Sequence, residues 1–75
     1  MKVESEITMI LPDGGKAHLV LRRYQTRKRG GSFWVLKVND HQVEVSDDRI
    51  DGMRALDAAR LTLLATGAKE QEVLP

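Results

Sequence analysis

The chain has 75 residues, enough for one folded domain and too few for a second hydrophobic core. Hydrophobic residues make up 41% and charged residues 31% of it, a composition typical of globular domains that argues against intrinsic disorder. The net charge is +1 and there is no cysteine, which excludes a disulfide scaffold and a thiolate metal site.

The localisation follows from what the chain lacks. Its first residues show no apolar segment of the kind that directs export, and no stretch is long enough to span a bilayer. Small secreted domains also commonly depend on disulfides. The sequence therefore predicts a soluble, cytoplasmic protein. A core this small leaves a thin margin of stability, so both a monomer and a homodimer stay open.

The first predicted hairpin begins with alternating apolar and polar residues from Val3 to Leu11, the period-2 pattern of a half-buried strand. Pro12-Asp13-Gly14 then predicts a three-residue loop in which the glycine takes a left-handed conformation. The resulting register places six apolar residues on one face: Ile7, Met9, Leu11, Ala17, Leu19 and Leu21. On the other face it sets Glu4 opposite Arg22.

A second hairpin is predicted around Asn39-Asp40, because both residues tolerate the positive φ angles of a two-residue type I′ turn. This turn pairs Val38 with His41. Continued alternation then places five apolar residues on the core face: Trp34, Leu36, Val38, Val43 and Val45.

A helix is predicted to follow, with Asp48 as its N-cap and Asp51 at the third helical position, as in a capping box. Gly67 is a typical residue just beyond a helix end. The apolar stripe would comprise Ile50, Met53, Leu56, Ala59, Leu63 and Leu64. Asp57 and Arg60 would form either a buried, partner-fixing ion pair or, as we favour, a pair at the edge of this stripe.

Together these elements predict an α+β fold: a four-stranded antiparallel sheet of two hairpins with one C-terminal helix packed on one face (ββββα). Residues 1–67 would form the single domain. Residues 68–75 would be a C-terminal tail or a short edge strand through Val73 and Leu74.

Charge is unevenly distributed along the chain. No acidic residue lies between Gly14 and Asn39, whereas seven basic residues do: Lys16, Arg22, Arg23, Arg27, Lys28, Arg29 and Lys37. If the helix covers the face that bears Trp34, the opposite face would expose Ile10, Lys16, His18, Val20, Arg22, Tyr24, Phe33, Val35 and Lys37. Tyr24 and Phe33 would be neighbours across the second and third strands.

This face fits nucleic acid, because cations neutralise phosphates while aromatic rings stack on bases. The alternative is a solvated surface that keeps a small domain soluble. The predicted binding residues are Arg22, Tyr24, Arg27, Lys28, Arg29, Phe33 and Lys37.

No catalytic pattern is present in the sequence: it has no nucleophile elbow, P-loop or EF-hand spacing. His18 and His41 fall on different hairpins, which argues against a shared metal or an acid–base pair. We therefore predict a non-enzymatic binding or regulatory protein with no cofactor, no metal and no small-molecule substrate. Its partner would be nucleic acid or a nucleic-acid-handling protein complex.

Strands followed by a helix, with one sheet face open, resemble the plan of small DNA-reading domains of the AP2 and integrase arm-binding types. The segment Tyr24–Gly31 followed by Phe33-Trp34-Val35 is similar to their first strands, although this chain has an additional N-terminal hairpin. The resemblance is a fold analogy, and it transfers no individual functional residue.

The alternative function is a protein–protein inhibitor or adaptor, such as a small phage-encoded anti-defence protein of the anti-CRISPR type. A compact domain without catalytic groups and with a concentrated basic surface suits that class as well. An inhibitor of a nucleic-acid-handling machine would present such a face to an acidic groove.

Overall fold

The structure, a computed structural model, describes residues 1–26 and 30–71. The elements in chain order are β1 (Lys2–Ile10), β2 (Lys16–Gln25), β3 (Ser32–Val38), β4 (His41–Ser46), α1 (Arg49–Ala65) and β5 (Lys69–Glu70). The strands form one antiparallel sheet in the order β4-β3-β2-β1-β5, and α1 packs on one face of it. Within the described residues, no helix has the length and apolar character needed to cross a membrane.

The core lies between α1 and the inner face of the sheet, which we define as the face that carries Leu19 and Leu21. Its buried members are Met9, Ala17, Leu19, Leu21, Leu36, Leu56 and Ala68. Partly buried residues packed around them include Ile7, Leu11, Trp34, Val38 and Met53. The face predicted for the first hairpin is therefore confirmed, and Trp34 lies under the helix, although it is only partly buried.

β5 corrects the prediction of four strands, since the sheet has five. Lys69 lies opposite Ile10 of β1, and the N–H of Gln71 donates to the carbonyl of Thr8 at 2.9 Å. Lysine and glutamate are poor strand formers, so no local preference marks this segment. Backbone hydrogen bonds to the otherwise open edge of β1 hold it in place. The edge strand predicted through residues 73 and 74 lies outside the described residues.

Both predicted ends of α1 are confirmed. The carboxylate of the N-cap Asp48 accepts the N–H of Asp51 at 2.8 Å. At the other end Gly67 has φ +100°, and the N–H of Ala68 donates to the carbonyl of Leu63 at 3.1 Å, which completes a Schellman motif. Ala68 is only 4% exposed, so the core extends past the end of the helix.

The predicted apolar stripe of α1 packs against the sheet, with one exception. Leu56 is buried at 2% exposure, whereas Ile50 is 63% exposed and does not belong to the core as predicted. Arg60 lies at the edge of the apolar stripe, as we favoured. Its guanidinium contacts Asp57 at 2.7 Å and also Glu70 of β5 at 2.8 Å, so it joins the helix to the fifth strand.

The turn between β3 and β4 is the predicted one. Asn39 and Asp40 have φ angles of +50° and +68°, and Val38 pairs with His41. The N–H of Asn39 donates to the carbonyl of His18 at 2.9 Å, and the side-chain oxygen of Asn39 accepts the N–H of His18 at 2.9 Å. The turn is therefore attached to β2 as well as to its own strands.

The register of β4 beyond this turn differs from the prediction. A β-bulge next to Lys37 shifts the pairing by one residue, so Trp34 lies opposite Ser46 and not opposite Val45. Val43 and Val45 are 55% and 49% exposed, so their predicted core positions are wrong. The physical reason is that one extra residue turns the following side chains to the other face of a strand.

A second irregularity, in β1, corrects the position of Glu4. The register shifts so that Val3, not Glu4, lies opposite Arg22. Glu4 instead pairs with the start of the helix, where Nε of Arg49 donates to its carboxylate at 2.5 Å. The hydrogen bond from Arg49 lowers the pKa of Glu4 below its ordinary value. This ion pair joins the beginning of β1 to the beginning of α1.

Candidate nucleic-acid interface

The outer face of the sheet, opposite α1, brings together the described members of the predicted site. Pairing between β2 and β3 places outer-face residues side by side at three successive levels: Val20 with Lys37, Arg22 with Val35, and Tyr24 with Phe33. These levels lead toward the connection between β2 and β3. Arg22, Tyr24, Phe33 and Lys37 therefore share one face, as predicted.

Two valines of this face are buried although α1 packs on the other side of the sheet. Val20 is 5% and Val35 is 4% exposed, and neither belongs to the core under the helix. The prediction that both would be exposed is wrong. Across β2 and β3 their pairing partners are Lys37 and Arg22, both half-buried, and on their other sides lie Glu6 of β1 and Val45 of β4. We attribute the burial to the long alkyl stems of these cations, which can cover apolar surface while the charged groups stay in water.

Tyr24 and Phe33 form a stacked pair across the two strands. Their ring centroids lie 5.3 Å apart and their planes differ by 12°, which confirms that they are neighbours. Aromatic rings at this separation prefer such an offset arrangement because it aligns opposite parts of their quadrupoles. Both rings are half-buried.

The adjacent strands end just short of this aromatic pair. β1 begins at Lys2 and β4 ends at Ser46, and each of these residues pairs one position before the level of the rings. Neither strand therefore contributes a residue beside Tyr24 on the β1 side or beside Phe33 on the β4 side. The pair lies on a two-stranded extension of the sheet.

Arg22 and Lys37 form no ion pair with any described residue. Arg22 is also poorly satisfied as a donor: its Nε is buried without a hydrogen-bond partner among the described residues, and Nη1 contacts only the sulfur of Met1, at 3.2 Å. A guanidinium with unused N–H groups is a strong donor for an anionic oxygen. The two cations are thus free to bind an external anion.

The carboxylate of Glu6 is the acidic group of this face at the level of Lys37. It lies 3.3 Å from Nε2 of His18, with which it pairs when the imidazole is protonated. Arg22 and the aromatic pair lie together at the end of the face away from Glu6, and Lys16 lies at the opposite end.

The basic segment of the predicted site, Arg27, Lys28 and Arg29, lies outside the described residues. Its flanks are described. The N–H of Thr26 donates to the carbonyl of Gly31 at 2.8 Å, and Gly30 has φ +60°. Backbone pairing in this hairpin therefore continues one residue pair, Thr26 with Gly31, beyond the ends of β2 and β3. The basic segment follows Thr26 in the chain.

One surface was missed by sequence reasoning. β4 is an edge strand in which all residues except Ser46 are exposed, including Val43 and Val45. Regular alternation predicts these valines inside, and no local signal marks the bulge that turns them out.

No group of three or more acidic or histidine side chains within residues 1–26 and 30–71 is arranged to hold a metal ion.

Comparisons with protein-family models, with curated proteins and with solved structures find no match. The resemblance to AP2-type and integrase arm-binding domains therefore gains no support from them.

Proposed function

We propose that this protein is a non-enzymatic binding module that docks its outer sheet face onto nucleic acid, alone or within a nucleoprotein complex. The observation that supports it is the combination of Arg22 and Lys37, which have no ion-pair partner among the described residues, with the stacked pair Tyr24–Phe33. Arg27, Lys28 and Arg29, next along the chain, add three positive charges.

Each of these side chains would make a different kind of contact with a nucleic acid. Arg22 offers directional N–H donors that match phosphate oxygens, whereas Lys37 acts as a point charge. Such phosphate contacts position a nucleic acid without reading its sequence. The aromatic rings supply a non-ionic contact with sugars or bases.

The test is the salt dependence of binding, measured by fluorescence anisotropy with labelled single- and double-stranded oligonucleotides. The logarithm of the binding constant should fall linearly with the logarithm of the salt concentration. Arg22→Ala and Lys37→Ala should each lower that slope by roughly 0.7 to 0.9, the value for one lost phosphate contact.

The matched control is Arg54→Ala, since Arg54 is an exposed cation on α1 that also has no ion pair among the described residues. It should leave both affinity and slope unchanged. Absence of any oligonucleotide binding by the wild-type protein at low salt would refute the proposed function.

A second candidate is the protein–protein inhibitor or adaptor, and the open β4 edge favours it. An exposed edge strand with apolar side chains can accept a strand from another protein or from a second copy of this chain. Val45→Lys should block such pairing, because charged edge residues oppose strand addition. A partner that survives nuclease treatment and is lost on Val45→Lys would support this candidate. Because Val45 lies opposite Val35 of the outer face, the added lysine should not weaken oligonucleotide binding.

A further inference from the structure

We infer that the outer face takes single-stranded nucleic acid, with unpaired bases stacked on the Tyr24–Phe33 pair. This inference rests on the proposed function and names its substrate class. RNA and DNA share the required chemistry, which is a flat base joined to a phosphate backbone.

The first argument is the surroundings of the rings. Tyr24 and Phe33 stack on each other, and the strands on either side end before their level. No strand residue lies next to the side of each ring that faces away from its partner, and the residues that continue the neighbouring strands there, Met1 and Asp47, are both exposed. A base inserted there would extend the existing stack.

Stacking of this kind selects unpaired bases. In a duplex the faces of each base are covered by the base pairs above and below, so a protein ring cannot contact them unless the base is extruded. In a single strand the faces are accessible, and every base has one. Stacking on an open base face is therefore a contact that a single strand offers and an intact duplex does not.

The second argument is the position of the cation. Arg22 lies two residues before Tyr24 on β2 and on the same face, which separates their backbones by roughly 7 Å. A strand whose base stacks on Tyr24 brings its phosphates near this guanidinium, which forms no ion pair with a described residue. Base and phosphate contacts are therefore available to the same stretch of strand.

The experiment compares four labelled probes with the wild-type protein at one low salt concentration: a thymidine 12-mer, a uridine 12-mer, an abasic 12-mer and a 12-base-pair duplex. The abasic strand keeps the phosphates and lacks the bases. At least one of the two base-bearing strands should bind about 5- to 150-fold more tightly than the abasic strand, as expected for one stacked base. It should also bind more tightly than the duplex.

Two results would overturn the inference while leaving the proposed function intact. One is equal affinity for the abasic and base-bearing strands, which would show that only phosphates are bound. The other is a duplex affinity at least equal to that of the single strands. If none of the four probes binds, the proposed function fails and the inference fails with it.

Variants of the two aromatic residues test whether the rings cause the preference for base-bearing strands. Tyr24→Leu and Phe33→Leu keep an apolar side chain and remove the aromatic face, so each should shrink the difference between base-bearing and abasic strands. Ile10→Ala is the control, because Ile10 is an exposed apolar residue at the far end of the outer face. Circular dichroism shows whether each variant is folded, and the wild-type comparison with the abasic strand stands without any variant. An unchanged difference in both folded leucine variants would contradict the inference.

Discussion

Gly52 of α1 lies directly against Trp34 of β3, and a β-carbon added to Gly52 would stand 3.0 Å from Cβ of Trp34. The same added atom would lie 3.3 Å from a methyl group of Leu21. Glycine is unfavourable inside a helix, so its presence here has a packing reason: it lets the helix approach the sheet closely.

Gly52→Ala should therefore destabilise the protein by about 1 kcal/mol. Alanine gains about 1 kcal/mol of helix propensity, but overpacking typically costs about 1–3 kcal/mol. Denaturant unfolding measures the difference. Thr62→Ala, at an exposed position of the same helix, is the control and should be neutral or slightly stabilising. A Gly52→Ala protein more stable than wild type would show that the helix can move away from the sheet without loss.

The ion pair between Glu4 and Arg49 should make stability depend on pH. Arg49 lowers the pKa of Glu4 in the folded protein below the ordinary value of 4.5. The folded state thus binds this proton less readily than the unfolded chain, so the contribution is complete above about pH 4.5 and is lost as the pH falls through the lowered pKa.

The melting temperatures of wild type and Glu4→Gln, measured from pH 7 to pH 2, should accordingly differ above about pH 4.5. They should converge as the pH falls through the lowered pKa of Glu4. Glu44→Gln is the control, because Glu44 is exposed and forms no ion pair with a described residue. Parallel pH curves for wild type and Glu4→Gln would contradict the assignment.

The residues after the helix should contribute to stability. A chain that ends at Gly67 lacks the buried Ala68 and the pairing of β5 with β1, whereas a chain that ends at Gln71 keeps both. We expect the shorter chain to be less stable by about 1–2 kcal/mol, from one buried methyl group and the lost backbone hydrogen bonds. Equal unfolding midpoints for the two chains would show that β5 adds nothing to the folded state.

The basic segment should contribute charge to nucleic-acid binding. Replacing Arg27, Lys28 and Arg29 together by alanine removes three cations, and the salt slope should fall by roughly 2 to 3 if each contacts a phosphate. The change should affect all oligonucleotide sequences about equally. A slope identical to that of the wild type would exclude the segment from the interface.

Local chemistry determined the turns, the helix ends and the register of the first hairpin. Proline, aspartate and glycine in Pro12-Asp13-Gly14 define one loop, Asn39-Asp40 accepts positive φ, and Asp48 caps the helix. Each of these signals depends only on neighbouring residues, so each can be recognised in a sequence. The outer-face position of Tyr24 beside Phe33 followed from the same alternation.

Only the tertiary structure determines which face of the sheet the side chains near the two bulges occupy. Alternation places Val45 inside, but one extra residue in the ladder puts Ser46 opposite Trp34 and leaves Val45 half exposed. In the same way, a shift in β1 frees Glu4 to pair with Arg49, a residue far away in the chain. A bulge adds one residue to one strand without changing the alternation of apolar and polar residues, so no period in the sequence records it.

The fifth strand has the same kind of origin. The sequence marks the end of the helix at Gly67, but not the pairing of Lys69 and Glu70 that follows. This pairing uses backbone groups on the edge of β1 that β2 leaves open. Sequence by itself therefore determined the local elements and the composition of the outer face, while long-range contacts decided the sheet edges, because hydrogen bonds between backbones carry no side-chain signature.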